Sequence, residues 1–140
     1  MEDKLFYVGQ KAFIEKDGKV LILNDPIGGL DFPGGKIQEG EAKMDNSVSL
    51  MNALKREVRE ETGLEIEVFD PFTVWYYEFS KKIHRSYGKV VYIVGFKCKY
   101  VSGDIKLSEE HDSFKWVDKN NFREFDDRSD YFKALEKYFK

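Results

Sequence analysis

The sequence predicts an α+β fold, arranged as a helix–sheet–helix sandwich. Three observations lead there. Strand-like segments outnumber helical ones, and two of them are long and rich in Val, Ile, Tyr and Phe. The strands and helices follow one another in mixed order rather than as regular βαβα repeats. The chain has 140 residues, 41% of them hydrophobic and 16% aromatic. That is enough for one core, because domains run from ~50 to ~250 residues and a chain of this size buries roughly two-thirds of its unfolded surface. No repeat, low-complexity stretch or linker divides it, so residues 1–140 are read as one domain.

Val8 to Ile14 and Lys19 to Leu23 flank Asp17-Gly18 and predict a β-hairpin, since this dipeptide readily takes the φ > 0 positions of a tight turn. Asn24 to Gly29, with Asn, Asp, Pro and two Gly, reads as a loop. Leu30-Asp31-Phe32 is a short extended piece running into Pro33-Gly34-Gly35, where paired glycines permit a sharp turn or a close backbone approach. From about Ser47 to Thr62, Leu50, Met51, Leu54 and Val58 recur at helical spacing and form an apolar stripe, with Gly63 placed to end the helix. Glu65 to Phe79 and Lys89 to Val101 read as long strands around a polar, basic stretch, and Ser113 to Val117 as a short one. Tyr131, Phe132, Leu135, Tyr138 and Phe139 mark the apolar face of a closing helix near Ser129 to Phe139.

Composition excludes several classes. The longest uncharged apolar run, Val90 to Phe96, is far short of the ~20 residues of a membrane helix. Met1-Glu2-Asp3-Lys4 does not open a signal peptide. The single Cys98 suits a reducing compartment and reads as a packing residue. A net charge of −3 gives no footprint for duplex nucleic acid. The expectation is a soluble cytoplasmic protein, monomer or homodimer, without membrane or duplex partners.

The informative segment is Gly35 to Leu64. Glu57, Glu60 and Glu61 stand at i, i+3 and i+4 and project from one helix face, away from the apolar stripe. Like charges at this spacing destabilise an isolated helix by a few tenths of a kcal/mol per pair, and a divalent cation would reverse the sign. Hard carboxylate oxygens suit Mg²⁺, with Mn²⁺ as an alternative. A solvated acidic face is the ordinary reading of a lone Glu-Glu pair. Here, however, a glycine-rich segment carrying its own Glu41 leads in, and Arg56 precedes the acidic face, where it can hold a carboxylate by bidentate hydrogen bonds.

These residues resemble the signature of the Nudix hydrolase family, in the MutT-like manner. Gly35 and Glu41 match its first part at the right spacing, and Arg56-Glu57-Val58-Arg59-Glu60-Glu61-Thr62-Gly63-Leu64 match its second part at every specified position. One departure is that Ala42 to Lys55 separate the two parts, seven residues more than the family usually has. The extra residues either extend the helix by almost two turns or bulge as a loop, and the polar stretch from Ala42 to Asn46 favours the loop.

The resemblance implies an α/β/α sandwich with a mixed sheet, and cleavage of a pyrophosphate bond in a nucleoside diphosphate derivative. It implies Glu57, Glu60 and Glu61 as metal ligands, with the Gly34 carbonyl as an additional one. Glu41 is read either as part of the metal shell or as a structural partner of Arg56. The residues acting on substrate would be Glu60, Glu57 and Arg56. The general base would be a helix glutamate or a loop glutamate, for which Glu110 in Glu109-Glu110 is placed. Phe32-Pro33-Gly34-Gly35-Lys36-Ile37 is similar to enzymes that hydrolyse nucleoside triphosphates, which makes a triphosphate the leading substrate. ADP-ribose or a nucleotide sugar is the alternative, and a nucleotide sensor without turnover is the alternative outside enzymes. Trp75, Tyr76 and Tyr77 are read as strand packing or a base-stacking platform. Lys81, Lys82, His84 and Arg85 are read as a solvated hairpin tip or a phosphate-holding loop. His84 and His111 lack the spacing of a zinc site.

Overall fold

A computed structural model describes residues 1–140. β1 (Tyr7–Lys16) and β2 (Lys19–Asp25) form the expected antiparallel hairpin, and Asp17 and Gly18 turn it with φ of 53° and 79°. β3 (Gly29–Asp31), β4 (Gly34–Lys36), β5 (Glu65–Glu78), β6 (Val90–Ser102) and β7 (Ser113–Val117) complete one seven-stranded sheet of order β3-β2-β1-β6-β5. β4 pairs with β1, and β7 with β2. The β1–β6 pair is parallel and the others are antiparallel, so the sheet is mixed. β1 changes partner along its length: Gly9 to Lys11 pair with β4, whereas Glu15 and Lys16 pair with β2.

The alternation of β1 and β2 explains why helices cover both faces. Phe13, Val20 and Ile22 point to one side, where Tyr131, Phe132 and Leu135 of α2 (Asp130–Tyr138) close over them. Ala12, Ile14, Leu21 and Leu23 point to the other, against Leu54 and Val58 of α1 (Ser49–Thr62). A strand buried on both faces carries apolar residues at successive positions, as Phe13-Ile14 and Val20-Leu21-Ile22-Leu23 do. Ser129 caps α2 by accepting the Phe132 N–H at 3.1 Å. Gly63 ends α1 at φ 78°, its N–H donating to the Arg59 carbonyl at 2.9 Å. No helix is long and apolar enough to cross a membrane.

Two readings left open by the sequence are resolved, those of Gly34-Gly35 and of the 42–48 stretch, and two details differ from expectation, Leu50 and an added 3₁₀ turn. Of the two readings of Gly34-Gly35, the close backbone approach holds and the turn does not: they lie in β4, pressed against β1. Leu50 is 39% exposed and lies outside the core, while its neighbours Ser49, buried, and Met51, packed against the core, take the inward face of the first turn. Residues 42–48 lie outside α1, as the loop that the polar Ala42 to Asn46 stretch favours. A 3₁₀ turn, Phe122–Phe125, precedes α2 and buries Phe122. Trp75 and Tyr77 pack toward α2, Tyr76 is exposed, and Cys98 is buried with its thiol pushed up to about 12 by burial.

Leu54 is 1% exposed in the core between α1 and the sheet. Leu54→Ala is expected to cost about 3 kcal/mol, read as a fall of roughly 10 °C in Tm. A variant melting within about 2 °C of the parent would remove this helix from the core that sets stability.

Candidate active site

The site forms where β4 is laid against the last turns of α1. A Cβ on Gly34, which sits at φ 142°, would come 2.0 Å from the Gln10 carbonyl oxygen, so only glycine lets this strand close on β1. A Cβ on Gly35 would lie 2.6 Å from the carboxyl carbon of Glu57, so its absence is what seats that side chain. The Gly34 N–H donates to Glu61 Oε1 at 2.9 Å. Glu61 is only 5% exposed, and its pKa is raised well above the usual carboxylate range, by burial first and with Asp31 adding to it against the pull of Lys11.

Arg56 does not make the bidentate pair expected of it. Its Nε donates to Glu41 Oε2 at 2.8 Å, one Nη to Glu57 Oε1 at 2.8 Å and the other to Glu60 Oε2 at 2.7 Å. One guanidinium thus gathers three carboxylates, because positions 57 and 60 share its helix face and the 38–48 loop brings Glu41 alongside. Glu41 spends its second oxygen on the Gln38 N–H at 2.7 Å and lies outside the cleft.

The cleft has a volume of about 440 Å³, in the range of small-molecule sites. Glu57, Glu60, Glu61 and Gly34 line one side together with Glu110. Lys36, Arg85 and Lys89 line it as well, with Tyr7 and Val91 as apolar surface. The Lys36 ammonium is held below its usual pKa by burial, then by Lys89, Lys11 and Arg85. Trp75, Tyr76 and Tyr77 do not reach the cleft, and Lys81 and Lys82 stay at the surface.

Beneath the acidic side lies a buried network that sequence reading missed. Lys11 Nζ meets Asp31 Oδ1 at 3.0 Å, and His111 Nε2 meets Asp31 Oδ2 at 2.8 Å. Burial alone would raise Asp31, but Lys11 and His111 hold it down at about 2. A ring nitrogen of His111 and one carboxylate oxygen each of Glu61 and Glu110 lie within 4.8 Å of one another, and His111 Nδ1 is buried without a partner. Period two was the available signal: it places Lys11 on the same face of β1 as Phe13, a charge at a core-facing position. Asp31 stands likewise between the apolar Leu30 and Phe32.

These residues fit a divalent cation. The donors are hard oxygens, and one oxygen each of Glu57, Glu60 and Glu61 is left without a protein donor. The buried Glu61 carboxylate also lacks enough compensating charge to stay ionised in the ordinary range.

Comparison with known proteins agrees with this geometry. The family model of the NUDIX domain matches residues 11–138. The chain is 30% identical over 110 residues to the CTP pyrophosphohydrolase of Escherichia coli (strain K12), covering 75% of this chain and 70% of that protein. The crystal structure of a MutT protein from Methanosarcina mazei Go1 superposes with a TM-score of 0.73 at 26% identity, over 100% of this chain and 99% of that one. A NUDIX hydrolase from Nitrosomonas europaea shares the fold with a TM-score of 0.70 at 24% identity, over 96% of this chain and 88% of that one. A signature helix, a glycine strand seated on its carboxylates and a matching domain over nearly the whole length place the chain in the Nudix family of hydrolases.

Proposed function

We propose that the protein hydrolyses nucleoside 5′-triphosphates to the monophosphate and pyrophosphate, in the manner of MutT, with Mg²⁺ as the cofactor and Mn²⁺ as a substitute. The observation that carries this reading is the pairing of chemistries in one cleft. The carboxylates of α1 and Glu110 share it with Lys36, Arg85 and Lys89, so cation donors and phosphate-binding cations meet in a single volume. The similarity to a protein named as a CTP pyrophosphohydrolase supports the substrate class.

Glu57, Glu60, Glu61 and the Gly34 carbonyl would hold the metal. Arg56 fixes Glu57 and Glu60 and holds Glu41 beside them. A bound divalent cation neutralises phosphate oxygens and lowers the pKa of a water. Glu110, 44% exposed and lining the cleft, accepts the proton of the attacking water, and Lys36 and Lys89 hold the anionic chain in place. Tyr7 and Val91 offer the apolar surface a nucleobase requires.

The test is product release with Mg²⁺ from a panel of ribo- and deoxynucleoside triphosphates, oxidised dGTP, ADP-ribose, nucleotide sugars and dinucleoside polyphosphates. Pyrophosphate from triphosphates, cytidine triphosphate among them, is the expected result. Turnover confined to ADP-ribose or nucleotide sugars would overturn the triphosphate reading and leave the hydrolase intact.

A further inference from the structure

The loop joining β5 to β6, residues 79–89, carries four of the chain's cations and a histidine, yet the histidine is buried, with the small Ser86 beside it. The His84 side chain is 3% exposed, whereas Ile83 and Tyr87 are 78% and 51% exposed. The large apolar side chains next to it therefore do not anchor the loop. His84 Nε2 meets Asp25 Oδ2 at 2.8 Å, and its Nδ1 accepts the Ser86 N–H at 3.0 Å. Both ring nitrogens are used, which sets the hydrogen on Nε2. The ring also packs 4.6 Å from Phe79.

Asp25, at the end of β2, is built to receive this loop. Its Oδ1 accepts the Ile27 and Gly28 N–H groups at 3.0 and 3.1 Å, which fixes the carboxylate, and its Oδ2 takes both His84 and Arg85 Nη1, the latter at 2.9 Å. Lys81 Nζ adds a second mooring on the Ile27 carbonyl at 2.9 Å. Arg85 is thereby held at one end only. Its Nη2 is 3.5 Å from Glu110 Oε2, too long for a formed charge-assisted hydrogen bond, and the guanidinium lines the cleft. Ser86, on the far side of His84's mooring, accepts from Lys36 Nζ at 3.1 Å. The cations of this wall crowd one another, which a polyanion would relieve.

We infer that His84 is a positioning residue: by latching onto Asp25 it holds the β5–β6 loop so that the free arm of Arg85 is presented to the substrate's phosphates. The inference rests on the triphosphate reading of the cleft. When substrate arrives, Arg85 Nη2 turns from Glu110 to a phosphate oxygen while Nη1 stays on Asp25. Glu110 is released at the same moment to accept a proton.

The experiment compares Arg85→Ala, His84→Ala, His84→Gln and the Arg85→Ala/His84→Ala double variant. The first readout is calorimetric affinity for inorganic triphosphate, a probe independent of nucleoside, leaving group and turnover. The second is the split between KM and kcat for the nucleoside triphosphate that the parent turns over. Arg85→Ala should weaken triphosphate binding and raise KM by about tenfold to a hundredfold, with a smaller change in kcat. His84→Ala should give about a tenfold effect of the same kind. His84→Gln, whose amide can still donate to Asp25, should recover part of it. The double variant should be no weaker than Arg85→Ala alone, because His84 acts through Arg85. Unchanged affinity and KM in Arg85→Ala, a half-exposed position whose loss leaves the fold intact, would overturn the inference, and so would multiplying effects in the double variant. A parent that binds inorganic triphosphate through Arg85 but hydrolyses no nucleoside triphosphate would instead overturn the substrate reading and leave the latch standing.

Discussion

Glu61→Gln is expected to lower kcat by about a thousandfold or more and, in the absence of metal, to make the protein more stable at alkaline pH. Both follow from burial. Glu61 is 5% exposed, and Gln keeps the acceptor for the Gly34 N–H while removing the charge. In the ligand role proposed for Glu61, losing its charge would forfeit several kcal/mol of metal-assisted charge stabilisation, at about 1.4 kcal/mol per tenfold. The stability effect takes its sign from the raised pKa. The folded state favours protonated Glu61, by burial first, so the stability it contributes is fully present below the unfolded value of about 4.3 and is lost as pH climbs toward the raised folded value. The variant has no such loss. Without metal, the two proteins should melt close together at pH 4 and the variant several degrees higher at pH 8. Mg²⁺ should raise the Tm of the parent and leave the variant nearly unmoved. A variant that melts below the parent at pH 8 without metal would overturn the raised pKa of buried Glu61, and one that gains equally from Mg²⁺ would remove Glu61 from the metal site.

The parts of this arrangement that were legible in the sequence are those that local spacing encodes. The hairpin turned at Asp17-Gly18, the helical stripe through Leu54 and Val58, and the i, i+3, i+4 glutamates each depend on residues close in the chain, and each is found where the spacing puts it. What was not legible depends on long-range pairing. Gly34-Gly35 carry the same local signal as a turn, and only their partner strand β1 makes them a strand. Glu41 and Arg56 are 15 positions apart, and whether Arg56 grips one carboxylate or three depends on how the 38–48 loop returns to α1. The Asp25–His84 contact spans 59 positions and the Asp31–His111 contact 80, with no motif linking either pair. Charged residues at core-facing strand positions, Lys11 and Asp31, were the one local trace of that buried network.

Gly35→Ala and Gly34→Ala differ by one position and are expected to fail in opposite ways. On Gly34 the added methyl would meet backbone, the Gln10 carbonyl oxygen at 2.0 Å, at a φ of 142° that other residues rarely adopt. Nothing there can give way without opening β4 from β1, so Gly34→Ala should cost several kcal/mol and fold poorly. On Gly35 the methyl would meet the Glu57 carboxylate, at 2.6 to 2.9 Å from its atoms, which is the far end of a side chain that can swing aside. The fold should survive with a Tm within a few degrees of the parent. Glu57, however, must leave both Arg56 and the wall of the cleft, so activity should fall by about a hundredfold, the scale set by misplacing a positioned group by an ångström or so. Circular dichroism melting beside steady-state turnover separates the two. Full activity in Gly35→Ala would show that the seat of Glu57 against β4 does not matter to the reaction, and that Glu60 and Glu61 carry the site without it.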